Sequence, residues 1–336
     1  MTVATIFTCA GLELTEAEIS FFKETDPFGF ILFADNIDTP AQIRALTSSL
    51  RDCVGRDDAP ILIDQEGGRV ARLTPPQWRE APPAKAFGDL ALKDMDAAKR
   101  AAWVNARLFA AELTDLGIDV DCAPVLDLSI PGAHDVIGDR SFGGNPELVV
   151  SVARAFAEGL MAGGILPMIK HVPGHGRAMA DSHKELPSVD LPRDQLEATD
   201  FAPFKGLADM PLAMTAHILF PQIDAERPAT TSPTIIEEIV RGYIGFEGLI
   251  VSDDVTMAAL SGGDREKAEA TRSAGCDIVL HCYAELEQMR EIALGSGQVS
   301  DASFARFEKA REAVASTPEN IDAVALQDEL TSLLQG

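Results

Sequence analysis

Polar side chains with chemical potential gather where apolar runs of this chain end. One run leads into Asp64-Gln65-Glu66-Gly67-Gly68-Arg69, with Arg72 just beyond. A second ends in Lys170-His171, continues as Val172-Pro173-Gly174-His175-Gly176 and reaches Asp181-Ser182-His183. Two others close on Thr215-Ala216-His217 and Ser252-Asp253-Asp254, and Arg140 stands in Asp139-Arg140-Ser141-Phe142-Gly143. Three of the six histidines fall between positions 171 and 183. Charge emerging from apolar chain is costly unless it is paired or used. Donors from Lys, His and Arg set around Asp carboxylates suit a polyhydroxylated, uncharged ligand such as a sugar ring.

Each group also has a plainer reading. Lys170 could only pair with Asp64 or Asp253. Arg72 and Arg140 could be surface residues, and Asp64 a helix cap. Asp253 and Asp254 could both cap a following helix. Gly67-Gly68 could do no more than permit a tight turn. His134 and His281 have no context, and His175 and His217 no assigned role. A zinc site would want His-x-His on a strand or His-Glu-x-x-His on a helix. Neither occurs: Pro173 and Gly174 split His171 from His175, and Lys170 repels a cation. No metal and no cofactor are expected. A serine triad lacks its Gly-x-Ser-x-Gly elbow.

The elements that must position these groups follow from the apolar pattern. Strand-like runs occupy residues 5–8, 28–33, 61–64, 118–123, 166–171, 212–217, 249–253 and 276–280. Amphipathic stretches lie between them. Residues 97–116 have helical spacing with Gly117 as the stop. Residues 146–161 follow Asn145 as N-cap, and 233–240 follow Ser232. Continuous apolar strands alternating with helices mean parallel strands buried on both faces. Eight of them in 336 residues predict one α/β domain over 1–336, a closed (β/α)8 TIM-type barrel with its active site at the C-terminal ends of the strands. Asp64, Arg140, Lys170, His171, His217 and Asp253 are expected to face that mouth. The tail, about 298–336, reads as helical and packed on the barrel exterior.

Composition narrows the partners. The net charge of −25, from 53 acidic and 28 basic residues, argues against nucleic acid, whose affinity comes from Lys and Arg on phosphates. No run approaches the roughly 18 to 20 apolar residues that cross a bilayer, and no basic amphipathic helix suggests a membrane surface. Five scattered cysteines and no signal-peptide pattern predict a reduced, cytoplasmic protein. A monomer acting on a small saccharide is expected.

Lys170-His171-Val172-Pro173-Gly174-His175-Gly176 with Asp181-Ser182-His183 resembles the hallmark loop of the bacterial exo-β-N-acetylglucosaminidases of glycoside hydrolase family 3. Gly248-Leu249-Ile250-Val251-Ser252-Asp253-Asp254 looks like that family's nucleophile strand. Asp64-Gln65-Glu66-Gly67-Gly68-Arg69-Val70, Arg140-Ser141-Phe142-Gly143 and Met214-Thr215-Ala216-His217 match further blocks in order, over roughly residues 28–260. Val172 departs from the aromatic residue common there.

The resemblance implies a (β/α)8 barrel and retaining hydrolysis of terminal β-linked GlcNAc. It implies GlcNAc-1,6-anhydro-MurNAc, with or without peptide, as the substrate in peptidoglycan recycling. Asp253 would be the nucleophile and His183 the acid/base, with Asp181 as its dyad partner. Asp64, Arg72, Arg140, Lys170 and His171 would hold the sugar. Gly174 and Gly176 would let the acid/base loop swing. A broader β-hexosaminidase, a phosphorolytic relative, a non-catalytic sugar-binding barrel and a metal-dependent amidohydrolase are the alternatives.

Overall fold

Eight short strands, β1 (Val3–Phe7), β2 (Pro27–Leu32), β3 (Ile61–Ile63), β4 (Val120–Asp121), β5 (Leu166–Val172), β6 (Leu212–Thr215), β7 (Leu249–Asp254) and β8 (Ile278–Leu280), each pair in parallel with the next. β8 pairs with β1, so the sheet closes into the eight-stranded barrel expected from the order of apolar runs. The structure is a computed structural model and describes residues 1–182, 184–314, 318 and 320–335. β4 is shorter than its apolar run. Beyond it the neighbours stay tied by single bonds, with Cys122 N–H on the Ile63 carbonyl at 2.8 Å and Met168 N–H on that of Ala123 at 3.0 Å.

Side chains alternate between the two faces of a strand. Leu62, Met168, Met214 and Val251 meet inside the barrel, with Val120 and Ile278. Ile63, Ile169, Ala213 and Ile250 lie under the surrounding helices. The same parity sends Asp64, Lys170 and Asp253 inward at the C-terminal ends of β3, β5 and β7. Along β5 the register slips between Lys170 and Val172, and His171 joins them at the mouth.

The helices begin where capping residues place them. Met95–Asp115 starts on Asp94, whose side chain accepts the Ala97 N–H, and Gly117 turns the chain at φ +73°. Pro146–Ala162 starts on Asn145 in the same way. Ser232 Oγ accepts the Ile235 N–H, and the helix it opens runs on to Ile244, past the expected end at 240. Its turns from Ile235 are π-helical.

The tail divides. Ala323–Gln335 lies outside, against Met95–Asp115, with Glu329 on Arg100 at 2.7 Å. Asp301–Glu312 also packs on the barrel, at its end rather than along its side. It covers the N-terminal end of the barrel, where Phe307 packs on Phe28 at 4.9 Å and joins Ala4, Leu166 and Ile278. An apolar barrel floor needs a cover, and Phe304, Phe307 and Ala310 repeat at helical spacing to supply it. Among the described residues no helix is long and apolar enough to cross a membrane.

Candidate active site

A cavity of about 340 Å³ opens at the C-terminal ends of the strands. Asp64, Arg72, Arg140, Lys170, His171, Asp181 and Asp253 all line it. His183 lies outside the described residues.

The floor is a network of charges. Lys170 is 2% exposed, with Nζ 2.8 Å from Asp64 Oδ1 and 2.7 Å from Glu66 Oε1. Arg140 grips Glu66 with two bonds of 2.8 Å. Arg72 Nη2 donates to Asp64 Oδ2 at 3.1 Å, its guanidinium over the Phe33 ring. Burial disfavours the charges of Asp64, Glu66, Arg140 and Lys170, and pairing outweighs it. The Lys170 and Arg72 cations hold the Asp64 carboxyl well below the usual carboxylate range. Lys170 and Arg140 hold Glu66 down in the same way. Asp64 and Glu66 keep Lys170 charged. Four cations, Arg69, Arg72, Arg140 and Lys170, line the cavity with four carboxylates, Asp64, Glu66, Asp181 and Asp253, so it is polar without a strong net sign.

Asp64 is therefore not a helix cap, and Lys170 pairs with Asp64 and Glu66 rather than with Asp253. The turn that returns Glu66 to the network needs Gly67, at φ +92°, where a Cβ would lie 2.3 Å from the Pro82 carbonyl oxygen. Gln65 staples the rest of the loop, its Oε1 accepting the N–H groups of Arg72 and Leu73 at 2.8 and 3.0 Å.

Asp253 stands above this floor. Its Oδ1 accepts the Asp254 N–H at 2.8 Å. Burial alone would raise its pKa. The His217 and His171 rings, the Asp254 N–H and the Lys170 ammonium outweigh burial and bring it below the ordinary value. Asp253 is an ionised carboxylate at neutral pH. Asp254 differs: its carboxylate accepts from Thr256 N–H and Oγ–H at 3.1 and 2.8 Å. Neither caps a helix, since the next begins at Asp264.

His217 was expected at the mouth and is not part of the cavity lining. It has the parity of Thr215, opposite to the inward Met214. Its ring is fully buried in the barrel wall, where Nε2 donates to the Asp254 carbonyl at 2.9 Å and Nδ1 meets Thr230 Oγ1 at 2.7 Å.

Two residues emerge that the sequence reading did not assign. Glu66 is one. Asp127, 1% exposed, is the other. Its Oδ2 takes the His171 Nδ1 at 2.7 Å, and its Oδ1 accepts the His175 N–H at 2.6 Å. Held through Nδ1, His171 offers Nε2 to the cavity. The available signal was a lone carboxylate in the apolar stretch Ala123-Pro124-Val125-Leu126-Asp127-Leu128.

The loop after β5 folds over the mouth, and Asp181 and Ser182 reach the cavity. Gly174 and Gly176 have a packing role here. A Cβ on Gly176 would lie 2.1 Å from the Leu128 carbonyl oxygen, and one on Gly174 would lie 3.1 Å from that of Asp200. Among the described residues no group of three or more His, Cys, Asp or Glu is placed to hold a metal ion.

A family model described as the glycosyl hydrolase family 3 N-terminal domain matches residues 12–316. The chain belongs to glycoside hydrolase family 3. Among its family 3 relatives, the beta-hexosaminidase of Bordetella avium is 38% identical over 277 residues, covering 81% of this chain and 78% of that one. The beta-hexosaminidase of Chromobacterium violaceum is 40% identical over 277 residues, covering 81% and 76%. The crystal structure of NagZ from Neisseria gonorrhoeae in complex with N-trifluoroacetyl-D-glucosamine superposes with a TM-score of 0.88. It is 35% identical and covers 99% of this chain and 98% of that one.

One pH effect follows from this family 3 site. Burial lowers the His175 pKa to about 4, from an ordinary 6.5, against the attraction of Asp127. The unfolded chain therefore takes up this proton near pH 6.5, and the folded protein only near pH 4. Stability from His175 is lost as pH falls through that window, by about 3 kcal/mol. His175→Gln removes the titration. The gap in urea stability between the parent protein and His175→Gln should narrow by that amount from pH 7 to pH 4. A gap that does not change with pH would mean that His175 is not held neutral.

Proposed function

We propose that this family 3 enzyme removes a terminal β-linked N-acetylglucosamine by double displacement with net retention. The observation that carries the reading is one cavity joining an ionised, inward Asp253 to the Lys170–Asp64–Glu66–Arg140 network and to the Asp181-Ser182 segment. Ile31, Met214 and Leu280 close the cavity below. Its size suits one sugar ring, which supports removal of an end residue rather than internal cleavage.

Asp253 attacks the anomeric carbon and forms a glycosyl ester as the bond to the leaving oxygen breaks. His183 gives that oxygen its proton, then takes one from water as water displaces Asp253. Asp181 orients the imidazole and favours its protonated form. Asp64, Arg72, Arg140, Lys170 and His171 hold the hydroxyls and the N-acetyl group. A charged network already paired within the protein is ordered before the sugar arrives, so little reorganisation accompanies binding.

The physiological substrate in this reading is GlcNAc-1,6-anhydro-MurNAc, alone or with its peptide, and the setting is cytoplasmic recycling of peptidoglycan. A site that hydrogen-bonds an N-acetyl group leaves buried partners unpaired when the group is missing. Turnover of 4-nitrophenyl β-GlcNAc should exceed that of the β-glucoside by a factor on the order of 10² or more in kcat/KM. Equal turnover would remove the N-acetyl assignment. Adding phosphate should leave GlcNAc as the product. GlcNAc 1-phosphate would instead identify a phosphorolytic relative. Loss of rate with EDTA would favour the metal-dependent alternative. Failure to cleave GlcNAc-1,6-anhydro-MurNAc would remove the recycling role alone.

A further inference from the structure

We propose that His175 and Ser182 form a clamp that sets the acid/base loop over the nucleophile, which makes both of them positioning residues for proton transfer. The inference rests on the reading of Asp181 and His183 as the proton-transferring pair.

Ser182 lies between those two residues in the chain, and it is held at two points. Its Oγ is 3.2 Å from His175 Nε2, and its carbonyl accepts the Ala259 N–H at 3.2 Å. Both partners of the side-chain bond are buried, His175 at 4% exposure and Ser182 at 3%. Ala259 belongs to the turn that follows β7, the strand ending in Asp253-Asp254. One residue of the loop is thus tied to the end of β5 through its side chain and to the nucleophile's own loop through its backbone.

His175 is itself fixed. Its N–H sits on Asp127 Oδ1 at 2.6 Å, and its ring lies against the edge of His171 at 5.9 Å. Asp127 therefore anchors a sugar-facing histidine and, through His175, the loop. The ring is neutral at pH 7, so the bond to Ser182 is one between uncharged groups. A bond of that kind adds little net stability to a folded protein, on the order of 1 kcal/mol. Its position matters more. Holding the residue between two reacting groups restricts where both can point, and small misplacements of a proton donor are costly in rate.

The alternative is that the bond merely satisfies a buried hydroxyl. Leaving-group dependence separates the two. Phenyl β-N-acetylglucosaminide needs a proton on its leaving oxygen, whereas the 2,4-dinitrophenyl compound departs without one. Ser182→Ala should lower kcat/KM about ten-fold on the phenyl substrate and by less than about two-fold on the dinitrophenyl substrate. Ser182→Thr, which keeps the hydroxyl, should restore the phenyl activity. His175→Ala should share the selective loss, and the double variant should be no worse than either single one. His175→Gln, which offers an N–H at similar reach, should recover part of it.

Equal losses on both substrates, no loss on either, or additive losses in the double variant would overturn the clamp. His183→Ala is measured beside them. A selective loss there without one in Ser182→Ala refutes the clamp and leaves the proton assignment standing. No selective loss in His183→Ala refutes that assignment and the clamp with it.

Discussion

Asp253→Asn is expected to lower kcat/KM by a factor on the order of 10³ or more on every substrate, whatever its leaving group. The carboxylate is ionised at neutral pH, faces the cavity, and receives one N–H from Asp254 that orients it. An amide of the same shape keeps the packing but cannot form the glycosyl ester. Asp254→Asn is the control. Its carboxylate is occupied by Thr256 in the turn after β7. It should cost less activity, and that cost should accompany a loss of stability. The reverse ranking of the two variants would place the chemistry on the wrong neighbour.

Lys170→Met should produce the largest loss of stability among the site variants, about 3 to 5 kcal/mol at pH 7. Methionine fills similar volume, so the loss is electrostatic. It leaves the half-buried Asp64 and the buried Glu66 each with only an arginine. The sign of the pH dependence follows. In the parent protein both carboxyls sit below their ordinary values, so their contribution is present above the unfolded pKa and fades as pH falls through the folded one. Without Lys170 that contribution is largely missing at neutral pH. Protonation at low pH relieves the orphaned carboxylates. Urea midpoints of the two proteins should therefore lie far apart at pH 7 and converge only as pH falls below about 4, the ordinary carboxyl value. Midpoints that are equal at pH 7 would show that Lys170 is not the counter-ion of this floor. Activity should fall as well, because Asp64 and Lys170 lose each other as positioning partners.

Much of this arrangement is legible in the amino-acid sequence. Eight apolar runs with helices between them imply a closed parallel barrel, and charges at their C-terminal ends mark its mouth. Strand parity explains what was placed well and what was not. Leu62 to Asp64, Met168 to Lys170 and Val251 to Asp253 are two-residue steps on one face. His217 is one step off that face, which turns its ring into the barrel wall. His171 is also off the face of Lys170, yet it lines the cavity, at the point where the register of β5 slips. A slip of that kind depends on neighbouring strands and has no local signal.

Glu66 and Asp127 escaped for a different reason. Their partners, Arg140 and His171, are 74 and 44 residues away in the chain. Spacing cannot show such pairings, and the hint was only that each is a carboxylate in an otherwise ordered apolar or glycine-rich segment. The tail shows the same limit. An apolar stripe on Asp301–Glu312 says that the helix is buried, but only the closed barrel shows that its place is the floor. The glycines of the β5 loop read as freedom in the sequence. In the structure a neighbouring carbonyl leaves no room for a side chain at Gly176.

The covalent role of Asp253 is tested most directly by trapping. A 5-fluoro analogue of N-acetylglucosaminyl fluoride slows breakdown of a glycosyl ester more than its formation, so the ester accumulates. After digestion, mass spectrometry should find one sugar attached to the peptide that contains Asp253, with fragmentation placing it on that side chain. The Asp253→Asn protein should take up none. A sugar on Asp254 or on another residue would contradict the assignment. So would an unlabelled protein whose first product from an ordinary substrate has the α configuration, because that outcome requires direct displacement by water.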